Sequence, residues 1–322
     1  MTGDQMRARP TDRVSPVPDA ESANRVSGPV LGALCVLWLA TGTNFLGFKV
    51  AVGEIAPFTL TALRLGAAAF VLAPFVVFMS KGLPRLTRTQ ISGLVVTGCL
   101  FLVVGQGLTV VGIQGMPSGY AALLTATVPL FTVLIEWIWR GNTPGRATFF
   151  GLALGASGLS IVMVPSMAGP VALGSFLAVL FGAFGWAFGT VWAQTLELPR
   201  SALVTTCAQM LIAAVILGCI AVLLEPAFQP ENVSGDGWLA LGWIVVVGSI
   251  VGYGAFVFAR PRAPTALANS FFYTGPVVAL LLGALVLDEP LGIREVLGAA
   301  LAIAGVVLIL RDRSRPPCPP AC

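Results

Sequence analysis

At 322 residues the chain is long enough for about two soluble domains, yet 57% of it is hydrophobic and only 10% charged, too little polar material to cover a water-soluble surface. Histidine is absent, which excludes His-ligated zinc or haem and histidine-based acid–base catalysis. The six cysteines are too dispersed for a disulfide framework: Cys35, Cys99, Cys207 and Cys219 fall in apolar runs, Cys318 and Cys322 in the last five residues. What remains is a polytopic membrane protein.

In chain order, residues 1–27 set Arg7, Arg9, Arg13 and Arg25 among Pro and Ser with no apolar core, and predict a disordered cytoplasmic tail without a cleavable signal peptide. Ten apolar runs follow, each close to the roughly 20 residues that a helix needs to cross a bilayer. They cover 30–49, 57–79, 90–112, 118–139, 145–165, 172–194, 202–224, 238–259, 265–286 and 293–310. Run 145–165 is the weakest, being rich in Gly and Ser. Residues 312–322 read as a second cytoplasmic tail.

Lys and Arg fix the orientation. With the N-terminus in the cytoplasm, 15 of the 18 basic residues lie on that side, among them Lys81, Arg85, Arg88, Arg140, Arg146, Arg200, Arg260 and Arg262. Lys49 and Arg294 fall outside and Arg64 lies within the second span. Both termini are therefore expected in the cytoplasm, and the net charge of +4 reflects topology, giving no hint of a nucleic-acid partner.

The chain contains itself twice, at an offset of 147 residues. Ala121, Thr127 and Pro129 match Ala268, Thr274 and Pro276; Gly151 and Gly158 match Gly298 and Gly305; Gly105 and Gly107 match Gly252 and Gly254. Residues 28–165 and 170–311 are the two halves. Five spans per half is an odd number, so the second half enters the membrane inverted. The loop charges agree: the loop with Lys81, Arg85 and Arg88 corresponds to one with Glu225, Glu231 and Asp236. Inverted repeats are an architecture of secondary transporters, which bind substrate near the midplane between the halves.

Met116-Pro-Ser-Gly-Tyr-Ala-Ala, Thr127-Val-Pro-Leu-Phe131, Trp186-Ala-Phe-Gly-Thr190, Ala266-Leu-Ala-Asn-Ser and Gly275-Pro-Val-Val278, with Trp38 to Asn44 and Ala62-Leu-Arg64-Leu, resemble the EamA-type exporters of the ten-helix drug/metabolite transporter superfamily. The resemblance covers roughly residues 28–311 and implies export of small metabolites or toxic compounds, commonly driven by a proton gradient. A Gly-Glu-Arg-like turn that often ends helices 4 and 9 of the family has its counterpart here in Asp288-Glu289-Pro290, whereas the first half has Gly141-Asn142-Thr143.

Helix interruptions at matching places in two halves are the best sequence pointer to a transport site. Pro129 and Pro276, central in helices 4 and 9, withhold a donor from the carbonyls of Thr125 and Phe272. These breaks read either as substrate-facing or as kinks re-satisfied by Thr127 and Thr274. Asn269, Tyr273 and Pro276 share a face of helix 9. Gln106 and Tyr253 are repeat equivalents, each between two glycines, and Asn44, Trp38 and Trp186 add an amide and two indoles. Trp38, Asn44, Gln106, Trp186, Tyr253, Asn269 and Tyr273 are the candidate substrate contacts, for a neutral, zwitterionic or partly aromatic molecule; interhelical packing is the plainer alternative for each. Pro129, Pro276, Gly105, Gly107, Gly252 and Gly254 are candidate hinges. Arg64, whose repeat partner is Gln209, and Glu136, at the cytoplasmic end of helix 4, are the candidate charge or coupling groups.

The expectation is an all-α integral membrane protein of ten transmembrane helices in two inverted five-helix repeats. Its expected role is a secondary transporter that exports a small metabolite, an amino acid or related compound or a toxic drug-like molecule, across the bacterial cytoplasmic membrane. Import, facilitative exchange or sensing are the alternatives. No enzyme site, metal or cofactor is expected and no Walker loop occurs. The partners are a small-molecule substrate, the lipid bilayer and protons as candidate coupling ion, in a monomer or homodimer.

Overall fold

A computed structural model of the protein describes residues 28–141, 143–167, 172–263, 271–289 and 291–313. Among them run ten helical rods and no strand: α1 Gly28–Val52, α2 Pro57–Met79, α3 Arg88–Gln114, α4 Ser118–Arg140, α5 Arg146–Met167, α6 Leu173–Trp192, α7 Ala202–Leu224, α8 Gly235–Ala259, α9 Phe271–Val286 and α10 Ile293–Arg313. Each overlies one of the ten expected spans, with ends within three residues except at α9, where residues 264–270 lie outside the described set. Seven of the rods are individually long and apolar enough to cross a membrane, and shorter apolar stretches occupy Arg146–Val162 and Gly275–Val286. Helix is the form these runs must take, because hydrocarbon offers no partner to an open backbone amide. Large apolar side chains such as Phe70, Phe78, Ile138 and Val222 are more than 80% exposed, as lipid-facing groups are. The chain is a multi-pass, all-α membrane protein.

The repeat is visible in the packing. Equivalent rods face each other, α2 against α7 and α5 against α10. Equivalent pairs recur as well: α1 packs on α8 and α9, and α6 packs on α3 and α4. Between α5 and α10 the backbones touch. A Cβ on Gly158 would lie 2.5 Å from the Ala302 nitrogen and the Gly298 oxygen, and one on its repeat partner Gly305 would lie 2.5 Å from the Gly151 oxygen and the Gly155 nitrogen. Gly151 and Gly155, one of the chain's small-residue pairs, thus serve packing inside the chain.

α3 and α8 are interrupted at corresponding places. Cys99–Gly107 and Ile244–Tyr253 turn as wide π-helix, which places the carbonyl five residues earlier beneath each chain atom. The Ser249 hydroxyl accordingly donates to the Ile244 carbonyl at 3.1 Å. α4 is broken too: Ser118–Thr125 ends in i→i+3 bonds from the Ala126 and Thr127 N–H groups, and Val128–Arg140 restarts with Pro129 at its second position. Pro129 therefore follows a true interruption, whereas Pro276 lies inside the continuous α9.

Helix ends at one end of the bundle are closed by side chains from distant loops. The Glu225 carboxylate accepts from the N–H groups of Phe58 and Thr59, both at 2.7 Å, and from the Thr59 hydroxyl at 2.7 Å, capping α2. Glu289 accepts from the Ser118 N–H at 2.6 Å, its hydroxyl at 2.7 Å and the Gly119 N–H at 3.3 Å, capping α4. Glu54 accepts from the N–H and hydroxyl of Ser234, at 2.7 and 2.6 Å, at the start of α8. Lys49 donates to the Ile113 carbonyl in the last turn of α3 at 3.0 Å and to the Met116 carbonyl just past its end at 2.8 Å. Negative charge at helix starts and positive charge at a helix end both complement the helix dipole. At the opposite end, which bears Arg140, Arg200, Arg260 and Arg262, the Thr89 hydroxyl donates to Glu197 at 2.8 Å.

Candidate functional site

Between the halves lies a cavity of about 100 Å³, open at its mouth. The π stretches of α3 and α8 supply two of its walls, α1 and α6 two more, and α4 and α9 close it at the α4 break. Four repeat-equivalent pairs line it: Gly105 with Gly252, Gln106 with Tyr253, Thr109 with Phe256, and Thr125 with Phe272. The glycines bring helices close. A Cβ on Gly105 would meet the Leu100 oxygen and the Trp186 ring, each at 3.0 Å; one on Gly252 would meet the Val247 oxygen at 3.0 Å and Ala40 at 3.1 Å.

The other three pairs differ in chemistry. The first half presents an amide and two hydroxyls where the second presents a phenol and two phenyl rings. A frame with twofold sequence symmetry thus encloses a cavity with a polar wall and an aromatic one. Both hydroxyls of the polar wall are turned back on their own helices, Thr109 to the Gly105 carbonyl at 2.7 Å and Thr125 to the Ala122 carbonyl at 2.6 Å. The aromatic wall is a cluster around Trp186, whose ring lies 5.0 Å from Phe101, 5.3 Å from Phe256 and 6.4 Å from Tyr253, tilted or edge-on.

Equivalent polar pairs hold the walls from behind. In the second half the Tyr253 hydroxyl donates to Gln209 on α7 at 2.8 Å, and the Gln209 amide donates to the Thr97 hydroxyl at 2.5 Å. In the first half Arg64 on α2, 1% exposed, donates to the side-chain oxygen of Gln106 and lies with its guanidinium 4.8 Å from the centre of the Phe48 ring. The expected equivalences of Gln106 with Tyr253 and Arg64 with Gln209 are thus joined into two matching pairs. Three buried polar atoms here have no partner: Asn44 Oδ1, Trp186 Nε1 and Arg64 Nε.

A second, larger space of about 700 Å³ opens at the arginine-bearing end, bounded by α3, α6, α7 and α8 and lined by Arg200, Arg260 and Arg262. Tyr253 and Phe256 border both spaces and form the partition between them.

Of the residues expected at the site, Asn44, Gln106, Trp186, Tyr253, Gly105 and Gly252 meet at the cavity. Trp38 packs into the apolar core beside it and is not part of its lining. Asn269 lies outside the described residues; Tyr273 is described only as a position in α9, without its side chain. Gly107 packs on Leu217, where a Cβ would come to 3.2 Å, while a Cβ on Gly254 would meet nothing within 4 Å. Glu136 is half-buried toward the arginine-bearing end of α4, away from the cavity lining. Phe45, Phe48, Thr109, Phe256 and Phe271 also line the cavity and were not among the residues expected there. The 147-residue offset pairs Thr109 with Phe256, and that was the signal available.

The model of the EamA-like transporter family matches residues 29–164 and again 173–311, one match per half. The uncharacterized inner membrane transporter YedA of Escherichia coli K12 is 32% identical over 282 residues, covering 87% of this chain and 90% of its own. A probable amino-acid metabolite efflux pump of the same organism is 26% identical over 306 residues, covering 88% and 95%. One crystal structure of another protein superposes with a TM-score of 0.65 at 19% identity, over 88% of this chain and 96% of that one, a likeness of fold.

Proposed function

The chain belongs to the EamA-like transporter family, and from that premise we propose that it is a secondary transporter exporting a small metabolite across the cytoplasmic membrane by alternating access. The cargo class spans amino acids, related metabolites that lack the amino group, and drug-like molecules of similar size. The observation that carries the reading is the pairing of a central cavity with a vestibule at the arginine-bearing end, while the opposite end is held shut by the caps of Glu54, Glu225 and Glu289. A carrier open to one side has this form. By the distribution of Lys and Arg the vestibule faces the cytoplasm, and both termini lie there. Cargo then enters from the cytoplasm, passes the Tyr253–Phe256 partition, and leaves when the two halves rock and the capped end parts.

Metabolite profiling of cells and medium, with the unaltered protein and Tyr253→Ala at equal membrane levels, tests the export reading. A compound enriched in the medium and depleted inside only with the unaltered protein is the expected result. Flux in proteoliposomes with and without a pH step then tests protons as the coupling ion. Accumulation inside the cells instead would reverse the assigned direction.

A further inference from the structure

We propose that Arg64 is the anion-recognising residue of the central cavity, and that the cargo is a small monocarboxylate with an apolar or aromatic body and no free ammonium group. The inference deepens the transport reading and rests on it for the word cargo; the binding chemistry stands on its own observations.

The first is an unbalanced charge. Arg64 is almost fully buried in a membrane helix, it contacts the Gln106 side-chain oxygen and the Phe48 ring, and among the described residues no carboxylate pairs with it. A cation at such depth is costly unless an anion or a set of acceptors compensates it. The second is internal comparison. Gln209, the counterpart of Arg64, engages both Tyr253 and Thr97. The counterpart of Thr97 is Ile244, fully buried and without a polar atom, so the first-half pair is short of one acceptor and Arg64 Nε is left open. The third is the orphan inventory. Trp186 Nε1 is a second open donor, and Trp186 lines the cavity together with Gln106 and Phe48, the two residues that hold Arg64. Two open donors and a positive charge call for an acceptor carrying negative charge.

A carboxylate entering the cavity replaces the Gln106 oxygen on the guanidinium, and the freed Gln106 amide turns to donate to it as well. Asn44 Oδ1, the open acceptor, takes an O–H or amide N–H beside the carboxylate. No Asp or Glu lines the cavity among the described residues. A monoanion therefore neutralises the site, whereas a zwitterion leaves it with the net charge of Arg64 and an ammonium lacking a counter-ion. The body rests against the aromatic wall of Trp186, Tyr253 and Phe256.

The test is binding to the purified full chain in lipid nanodiscs, read by tryptophan fluorescence, with three probes of one shape: 3-phenyllactate, phenylalanine and 3-phenylpropanol. Phenyllactate is expected to bind about tenfold or more tighter than either other probe, the value of one good charge-assisted contact. Arg64→Gln, which installs the side chain found at the equivalent position in the second half, is expected to bring the three within about twofold. Arg64→Lys, which keeps the charge without the planar fork, weakens phenyllactate binding but keeps it the tightest. Equal or tighter binding of phenylalanine or phenylpropanol by the unaltered chain overturns the assignment. So does an anion preference that survives Arg64→Gln, or no binding of any probe at millimolar concentration. Phenyllactate that binds in this way but is not carried across proteoliposomes leaves the anion site standing and sinks the transport reading instead.

Discussion

Glu289 takes two N–H groups that the start of α4 leaves without partners of their own, and the Ser118 hydroxyl beside them. Glu289→Ala uncovers them, and the expected cost is about 1–2 kcal/mol. The thermal midpoint of the purified protein then falls by about 2–4 °C, while Glu231→Ala, at a residue with no such contact, leaves it in place; equal midpoints for both variants would remove the capping role. Glu54 offers a check by pH. The Ser234 hydroxyl, then the Ser234 N–H, hold its carboxyl below the ordinary range. A lowered folded-state value favours the ionised form, so this cap is complete above the ordinary value of about 4.3 and is lost as pH falls through the lower folded value. Part of the decline in thermal midpoint between about pH 5 and pH 3 disappears in Glu54→Gln; an unchanged decline argues against the assignment. Glu289 was visible in the sequence as the retained member of a turn pattern, but its partner lies 171 residues earlier, and nothing in a local pattern points across that distance. Lys49 was an exception to the charge rule until the α3 carbonyls explained it.

At the scale of elements, the wide turns of α3 and α8 set the cavity's shape. Gly252→Ala forces a Cβ against the Val247 carbonyl and Ala40, whereas Gly254→Ala enters open space. The first is expected to cost about 1–3 kcal/mol by overpacking, and the second to be neutral or to stabilise by up to about 1 kcal/mol through helix propensity. Melting midpoints and flux per unit of inserted protein check both; a tolerated Gly252→Ala would mean that the wide turn yields easily. The spans themselves were legible, since a long apolar run in a chain this poor in charge has one solution in lipid. The wide turns were not: they shift backbone bonding by one residue without altering composition. Nor was the choice of wall. When every face of a helix is apolar, periodicity cannot separate Phe48 and Phe256, which line the cavity, from Phe70 and Phe78, which face lipid. Polar residues stood out against that background, which is why Asn44, Gln106 and Tyr253 were found and the phenyl rings were not.

For the whole molecule, the two halves share a frame and differ in what they carry. A C-terminal fluorescent-protein fusion should glow and a C-terminal alkaline-phosphatase fusion should be silent if the arginine-bearing end is cytoplasmic; the reverse pattern would invert the assigned direction of loading. The three carboxylate caps at the far end make eight hydrogen bonds in all. Each is charge-assisted, and under the proposed rocking of the halves several would break together, at about 1.5–3 kcal/mol for each bond to a charged group before water replaces it. On the proposed alternating-access reading these caps would act as a bolt: the empty carrier would stay turned toward the vestibule, and a driving gradient would not be spent on slippage.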